Sequence, residues 1–223
     1  MILTNRRFER EAPAREAKSI YIFCEGAKRE YQYFEYFKEM DSRINVEVYQ
    51  LHPHEDNSPL GLLSIAKKCI ILNDKNPKPK YTFQKNDEVW IVLDTDKDKN
   101  ESRKPQIETI LREIDELDNW NLIQSNPCFE VWLYYHLHKE KPVFEENKYC
   151  ASWKKIVNES IKGGFDSRRH PIYIESATRN AENNFALDNS KLIIGSTEVF
   201  NLSKSILPLI RLKLQKVLNE LKE

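Results

Sequence analysis

Acidic side chains follow two apolar runs of the chain, at the point where each run ends. Glu25-Gly26 comes directly after KSIYIFC, and Asp94-Thr95-Asp96 comes directly after EVWIVL. Residues two apart in an extended stretch point to the same side, so Asp94 and Asp96 can hold one ligand. Two carboxylates about 5 Å apart repel by roughly 3 kcal/mol at an effective dielectric near 20. A group of three such acids therefore favours a bound cation or a shared proton.

The chemistry of this predicted site follows from its oxygen ligands. Carboxylates favour Mg²⁺ or Mn²⁺ over zinc. Such an ion can polarise a phosphate oxygen, activate water and stabilise a leaving alkoxide, which is the chemistry of phosphodiester cleavage. We therefore expect Mg²⁺, with Mn²⁺ as a substitute, on Glu25, Asp94 and Asp96. The simpler reading is structural, because Asp favours turns and helix starts for local hydrogen-bonding reasons.

A further acid lies in the segment Asn-Pro-Cys-Phe-Glu, which ends at Glu130. Asn126 is a good N-cap and Pro127 a good first residue for a helix over residues 127–138. Glu130 would complement that helix dipole, which contributes about 0.3–1 kcal/mol. It also follows a predicted strand, so it is a candidate metal ligand or water-orienting base. The catalytic candidates are Glu25 and Glu130.

Alternating strands and helices are needed to position these acids, and the apolar spacing predicts them. The predicted strands cover residues 18–24, 45–51, 88–93 and 120–124, and the predicted helices cover residues 27–40, 60–72, 105–117 and 127–138. This alternation indicates βαβ units and an α/β fold with a mainly parallel, Rossmann-like sheet. Ligands bind such sheets at the carboxyl ends of the strands, where the acids lie.

The remaining chain is expected to flank this core. Residues 1–17 form a charged lead-in, residues 18–138 the catalytic core, and residues 139–223 an irregular region with a C-terminal helical extension. Apolar residues recur at helical spacing from about residue 203, at Leu207, Ile210, Leu214, Val217 and Leu221. A helix docked on the core is the favoured interpretation, and a partner-binding zipper is the alternative.

The overall charge offers no field that would attract a polyanion, since 35 basic residues balance 35 acidic ones. Affinity for nucleic acid would have to come from local basic clusters. The candidates are Lys97, Lys99, Arg103 and Lys104 after the Asp pair, and Lys154, Lys155, Arg168 and Arg169 further along. Each cluster is more often a solvated surface than a binding site.

Two features bear on the compartment. No apolar run is long enough to cross a membrane, and the polar start lacks a signal-peptide core, so we expect a cytoplasmic protein without membrane partners. The four cysteines show no Cys-x-x-Cys spacing. They are expected to behave as small apolar residues rather than as a disulfide or a zinc site.

With these residues placed, the chain resembles the RloB-like family of bacterial and archaeal defence loci. The matching segments are IFCEG at residues 22–26 followed by Glu30, Tyr33 and Phe34, IVLDTD at 91–96, SNPCFEVWL at 125–133, and STEV at 196–199 with Leu202. The resemblance implies a Toprim fold, with Glu25 in metal binding or acid/base work and Asp94 and Asp96 on Mg²⁺. It also implies a phage-defence nuclease that works with an AAA-type ATPase. One departure is Arg29, where the family usually carries Thr before the Glu of its first helix.

Other functions compete with a nuclease. A haloacid-dehalogenase-like phosphotransferase also uses Asp-x-Asp but favours Thr or Val where this chain has Asp98. A glycosyltransferase would use the pair to hold Mn²⁺. A third alternative is a non-catalytic Toprim-like subunit that binds a partner. The sequence leaves open DNA or RNA such as tRNA as substrate, and a monomer or homo-oligomer as the assembly.

Overall fold

The structure, a computed structural model, describes residues 8–95, 100–143 and 149–221. The strands of the described part are β1 (Lys18–Cys24), β2 (Ile44–Tyr49), β3 (Glu88–Asp94), β4 (Trp120–Asn126), β5 (Leu187–Asp188), β6 (Lys191–Leu192) and β7 (Ser196–Thr197). The main sheet has five of these strands, in the order β2-β1-β3-β4-β7. Pairs β1–β2, β1–β3 and β3–β4 are parallel, and β7 joins β4 antiparallel. The predicted α/β fold with a mainly parallel sheet is confirmed.

The central strands are apolar along most of their length because both faces of the sheet are covered. In β1, Ile20 and Ile22 belong to one apolar cluster, whereas Tyr21 and Phe23 belong to the cluster on the opposite face. This alternation follows from the two-residue period of a strand. Continuous hydrophobicity in β1 and β3 thus reflects burial from both sides.

Helices form the two outer layers. They are α1 (Arg29–Phe34), α2 (Pro59–Ile70), α3 (Asn100–Asp115), α4 (Glu130–Tyr134), α5 (Cys150–Ser160), α6 (Ile174–Asn183) and α7 (Val199–Glu220). Helices α2 and α3 supply the apolar residues on one face, and the other helices supply those on the opposite face. Among the described residues, none of these helices combines the length and apolarity that crossing a bilayer requires.

The helix predicted over residues 127–138 is wrong at its start. Strand β4 continues to Asn126, which pairs with Ser196 of β7, and α4 begins at Glu130 after a cis Asn126–Pro127 peptide. The Asn126 side chain donates to the Leu192 carbonyl at 2.5 Å and is therefore not a helix cap. Long-range strand pairing thus decides the conformation of this segment.

Two other helices differ from their predicted bounds. The first is short, because α1 gives way to a 3₁₀ turn (Glu35–Phe37) and then to Glu39 with a φ of 57°. That left-handed conformation ends the helical run. Helix α3 starts five residues before the predicted start at Pro105, which therefore lies inside the helix. This earlier start places Arg103 on a helix.

The region after residue 139 is more regular than the sequence suggested. Helices α5 and α6 lie within the stretch expected to be irregular. In α5, Trp153 and Val157 lie one turn apart and are 0% and 1% exposed, so packing against the core fixes a helix whose pattern is weak. The expectation of irregular structure between residue 139 and the last helix is therefore wrong.

The C-terminal helix α7 lies against the core. Leu207, Ile210, Leu214 and Val217 are all buried, and α7 contacts β2 and β4. These four side chains pack against one face of the sheet, as expected for a docked helix rather than for a partner-binding zipper.

Candidate metal site

The strand order places the first two acids side by side. After β1 the chain continues to β2 on one side of the sheet, and after β3 it continues to β4 on the other. Ligands bind in the crevice at such a switch point, outside the carboxyl ends of the strands. The Glu25 N–H donates to the Val92 carbonyl at 3.2 Å, and the Asp94 N–H approaches Glu25 Oε2 at 3.4 Å. The structure therefore brings Glu25 and Asp94 together at one edge.

Glu30 on α1 is a third acid of the site and was not among the predicted site residues. The residue is 8% exposed, and its carboxylate lies over Gly26: a Cβ built on Gly26 would come within 1.9 Å of Glu30 Oε2. Burial, together with the charges of Glu130 and Glu25, raises the pKa of Glu30 to about 7. A glycine one helical turn before the acid was the available sequence signal.

The Asp94 carboxyl is held by the backbone of the segment before α4. Its Oδ1 atom accepts the Phe129 N–H at 2.9 Å. Although the residue is not fully buried overall, burial of the carboxyl raises the pKa of Asp94 well above its ordinary value, with further contributions from the charges of Glu30 and Glu25. Burial is the larger cause of this shift, and repulsion by the neighbouring carboxylates adds to it.

Glu130 is the first residue of α4 and is 5% exposed. Its charge contributes to the raised pKa of both Glu30 and Asp94, after the larger effect of burial. Its Oε2 atom lies 3.8 Å from Cys150 Sγ. The structure thus places Glu130 in the same acidic group, as expected from its position after a strand.

Arg103 supplies a positive charge inside this group. Its Nη2 lies 2.5 Å from Glu25 Oε1, and its Nη1 donates to the Asp94 carbonyl at 2.8 Å. Its side chain is only 6% exposed. Arg103, a candidate for nucleic-acid binding, ties α3 to the ends of β1 and β3.

The other basic candidates divide into two groups. Lys154 lies near Cys150 and Glu130, whose charges are the largest causes of its raised pKa. Lys155 is 4.0 Å from Glu159, whereas Arg168 and Arg169 are 3.0 Å and 3.7 Å from Asp166; Lys104 is 3.9 Å from Glu108. Asp96, Lys97 and Lys99 lie outside the described residues.

The donor set fits a hard divalent cation. Glu25, Glu30, Asp94 and Glu130 supply carboxylate oxygens, the ligands that Mg²⁺ and Mn²⁺ take in proteins. Among the described residues, the cationic side chains beside these four acids are Arg103 and Lys154, so that part of the site carries more acidic than basic groups. Burial raises the pKa of both Glu30 and Asp94, and the neighbouring carboxylate charges raise it further. A divalent cation would offset the excess of acidic groups.

Comparison with known proteins bears on the family. A family model described as RloB-like protein matches residues 20–206, which include all four acids and Arg103. No curated protein and no solved structure matches the chain.

Proposed function

Because this chain belongs to the RloB-like protein family, we propose that it is a Toprim-type, divalent-metal-dependent nuclease that cleaves phosphodiester bonds in nucleic acid. The observation that carries the proposal is the convergence of Glu25, Glu30 and Asp94 at the switch point of a parallel sheet. Open sheets of this kind bind ligands there. An all-carboxylate site can hold Mg²⁺ while the same ion binds the phosphate oxygens of a substrate.

Each residue's proposed role, metal binding or positioning, follows from its place in the site. Glu25 and Asp94 would hold the ion, with Asp96 beyond the described residues as the third predicted ligand. When bound, Mg²⁺ supplies polarisation of the phosphate oxygen and activation of water. The Phe129 N–H fixes the Asp94 carboxyl, and Arg103 fixes Glu25.

Glu130 would orient the attacking water, and Glu30 would serve as a further acid beside the ion. Glu130 is suited to that role because it enters the site from α4, on the side of Asp94 where the Phe129 N–H binds. A base in this position must reach the water by a hydrogen bond of about 2.6–3.2 Å. Gly26 supports Glu30 by leaving room for its carboxylate.

We further propose that the nuclease acts in phage defence with an AAA-type ATPase partner. The neutral chain offers few phosphate contacts of its own, and several candidate cations pair with neighbouring acids. Non-specific affinity for nucleic acid depends steeply on the number of such contacts. A partner would therefore hold the substrate, which can be DNA or RNA such as tRNA.

The test is a cleavage assay on the purified full chain with plasmid, single-stranded DNA and total RNA. It is run with Mg²⁺, Mn²⁺ or chelator, and with or without the neighbouring ATPase. Asp94→Asn keeps the Oδ1 acceptor for Phe129 but removes the charge, so cleavage should be lost while the melting temperature is kept. Asp115→Asn, at the exposed end of α3, is the matched control and should cleave normally. Full cleavage by Asp94→Asn would refute the assignment.

One observation favours a second function, a non-catalytic subunit that binds a partner. Arg103 already neutralises Glu25, so an ion must compete with a guanidinium for that carboxylate. Titration of the protein with Mn²⁺, followed by electron paramagnetic resonance, separates the two functions. An idle site would give partner binding without Asp94-dependent Mn²⁺ binding or cleavage.

A further inference from the structure

Beside the all-oxygen site lies a cluster that contains sulfur. Cys128, Glu130 and Cys150 each place one ligand atom within 4.8 Å of the other two. Cys128 is 0% exposed, Glu130 is 5% exposed, and Cys150 is partly exposed at the start of α5. The cluster is therefore buried on one side and accessible on the other.

The folding of two segments creates this cluster. Cys128 lies in the short stretch between β4 and α4, Glu130 is the first residue of α4, and Cys150 is the first residue of α5, which packs on α4. The Cys128 thiol approaches the Cys150 carbonyl at 3.9 Å. The two thiols are brought together by contacts between distant parts of the chain, so the sequence shows no short Cys-x-x-Cys spacing that would predict them.

The separation of the Cys150 and Glu130 ligand atoms suits a tetrahedral ion. Zn–S bonds of about 2.3 Å and Zn–O bonds of about 2.0 Å put sulfur and oxygen ligands about 3.5 Å apart at a tetrahedral angle. Cys150 Sγ and Glu130 Oε2 are 3.8 Å apart. A shift of a few tenths of an ångström, available by side-chain rotation at the partly exposed Cys150, closes this difference.

We propose that Cys128, Glu130 and Cys150 form a site for a soft divalent cation, Zn²⁺, adjacent to the all-oxygen site and sharing Glu130 with it. Thiolates select zinc over magnesium because sulfur is a soft ligand. Binding displaces the two thiol protons to solvent and forms two Zn–S bonds and one Zn–O bond. Three protein ligands leave the fourth position for water, and Lys154 lies outside the ligand set beside Cys150 and Glu130.

The two sites share Glu130, so zinc draws this carboxylate away from the acids at the switch point. Zinc binding itself does not depend on nuclease activity. Inhibition of cleavage by zinc, the expected consequence, does rest on the proposed function. The primary test therefore measures zinc binding alone.

The test measures zinc binding to the reduced, metal-stripped full chain in excess Mg²⁺, which saturates sites made of oxygen alone. Zinc is titrated against a chromogenic indicator, and Co²⁺ replaces it to reveal thiolate-to-cobalt absorption. We expect one zinc per chain. Loss of a supporting partner commonly costs 10–100-fold in metal affinity, so Cys150→Ser, which removes a direct ligand, should cost about 100-fold or more.

The matched control is Cys69→Ser, which alters a buried cysteine in the apolar cluster on the opposite sheet face and should bind zinc normally. Glu130→Gln should also weaken zinc binding. Cys150→Ser decides the matter even if the fully buried Cys128 tolerates no change, because Cys150 is partly exposed. Equal zinc affinity in wild type and Cys150→Ser, or Co²⁺ binding without thiolate absorption, would overturn the site. A disulfide between the two thiols would also overturn the site if it resisted reduction and bound no zinc. It would appear as a mass two hydrogens lower in the protein purified without reductant.

Discussion

Arg103→Met is expected to destabilise the metal-free protein strongly. The guanidinium is 2.5 Å from Glu25, and the two side chains are 6% and 14% exposed. Removing one partner of a buried ion pair costs about 3–5 kcal/mol, because the remaining charge stays buried and unpaired. The hydrogen bond from Arg103 to the Asp94 carbonyl adds about 0.5–1.5 kcal/mol. The partial exposure of Glu25 favours the lower end of both ranges, so we expect a loss of about 3.5 kcal/mol in the free energy of unfolding.

The assay is urea unfolding in chelator, followed by the same measurement in Mg²⁺. A bound cation would take over part of the role of Arg103, and a ligand at 100 times its Kd stabilises by about 2.7 kcal/mol. Mg²⁺ should therefore recover much of the lost stability in Arg103→Met. It should stabilise Arg103→Met/Asp94→Asn far less, since that variant lacks a predicted ligand.

Arg112→Met, on an exposed turn of the same helix α3, is the matched control. It removes the same charge and the same volume without touching the acids, and surface changes of this kind usually stay within about 0.5 kcal/mol. The reasoning is refuted if Arg103→Met loses no more stability than Arg112→Met. A loss of stability that Mg²⁺ leaves unchanged would refute the metal site while sparing the ion pair.

Three further predictions concern single residues. Gly26→Ala should lower Mn²⁺ affinity as much as Glu30→Gln does, because the added Cβ would displace the Glu30 carboxylate. Its cost in stability should be about 1–3 kcal/mol, as is typical of overpacking. Unchanged Mn²⁺ affinity in Gly26→Ala would contradict this prediction. Burial lowers the pKa of His136 from 6.5 to about 3, with His170 adding to the effect, and Tyr33 Oη lies 3.0 Å from its Nε2. The unfolded chain takes up this proton below pH 6.5 and the folded chain does not, so stability present above pH 6.5 falls by about 1.4 kcal/mol per pH unit down to about pH 3. The difference in urea unfolding between wild type and His136→Asn should show this slope; a flat difference from pH 7 to pH 4 would exclude it. Ile210→Ala should lower the free energy of unfolding by about 2–5 kcal/mol, since the Ile210 side chain is 0% exposed in the core. The control is Leu212→Ala, at an exposed position of the same helix. A fall in melting temperature no greater than that of the control would contradict the docking of α7.

The sequence by itself determined the class of the fold and two of the acids. Apolar runs long enough for a buried strand, separated by helical spacing, require a parallel sheet because both faces must be covered. Once the strands are parallel, residues that follow them share one edge. Glu25 and Asp94 were therefore predictable as neighbours of the same crevice.

Only the tertiary structure decided which side chains complete the site. Arg103 and Glu30 reach the acids because α3 and α1 dock at particular angles, and helical spacing alone does not fix those angles. Pairing of β4 with β7 moved the start of α4 to Glu130, and packing of α5 on α4 brought Cys150 to it. These contacts join residues that are far apart in the chain, so their energies depend on the assembled core and leave no local pattern in the sequence.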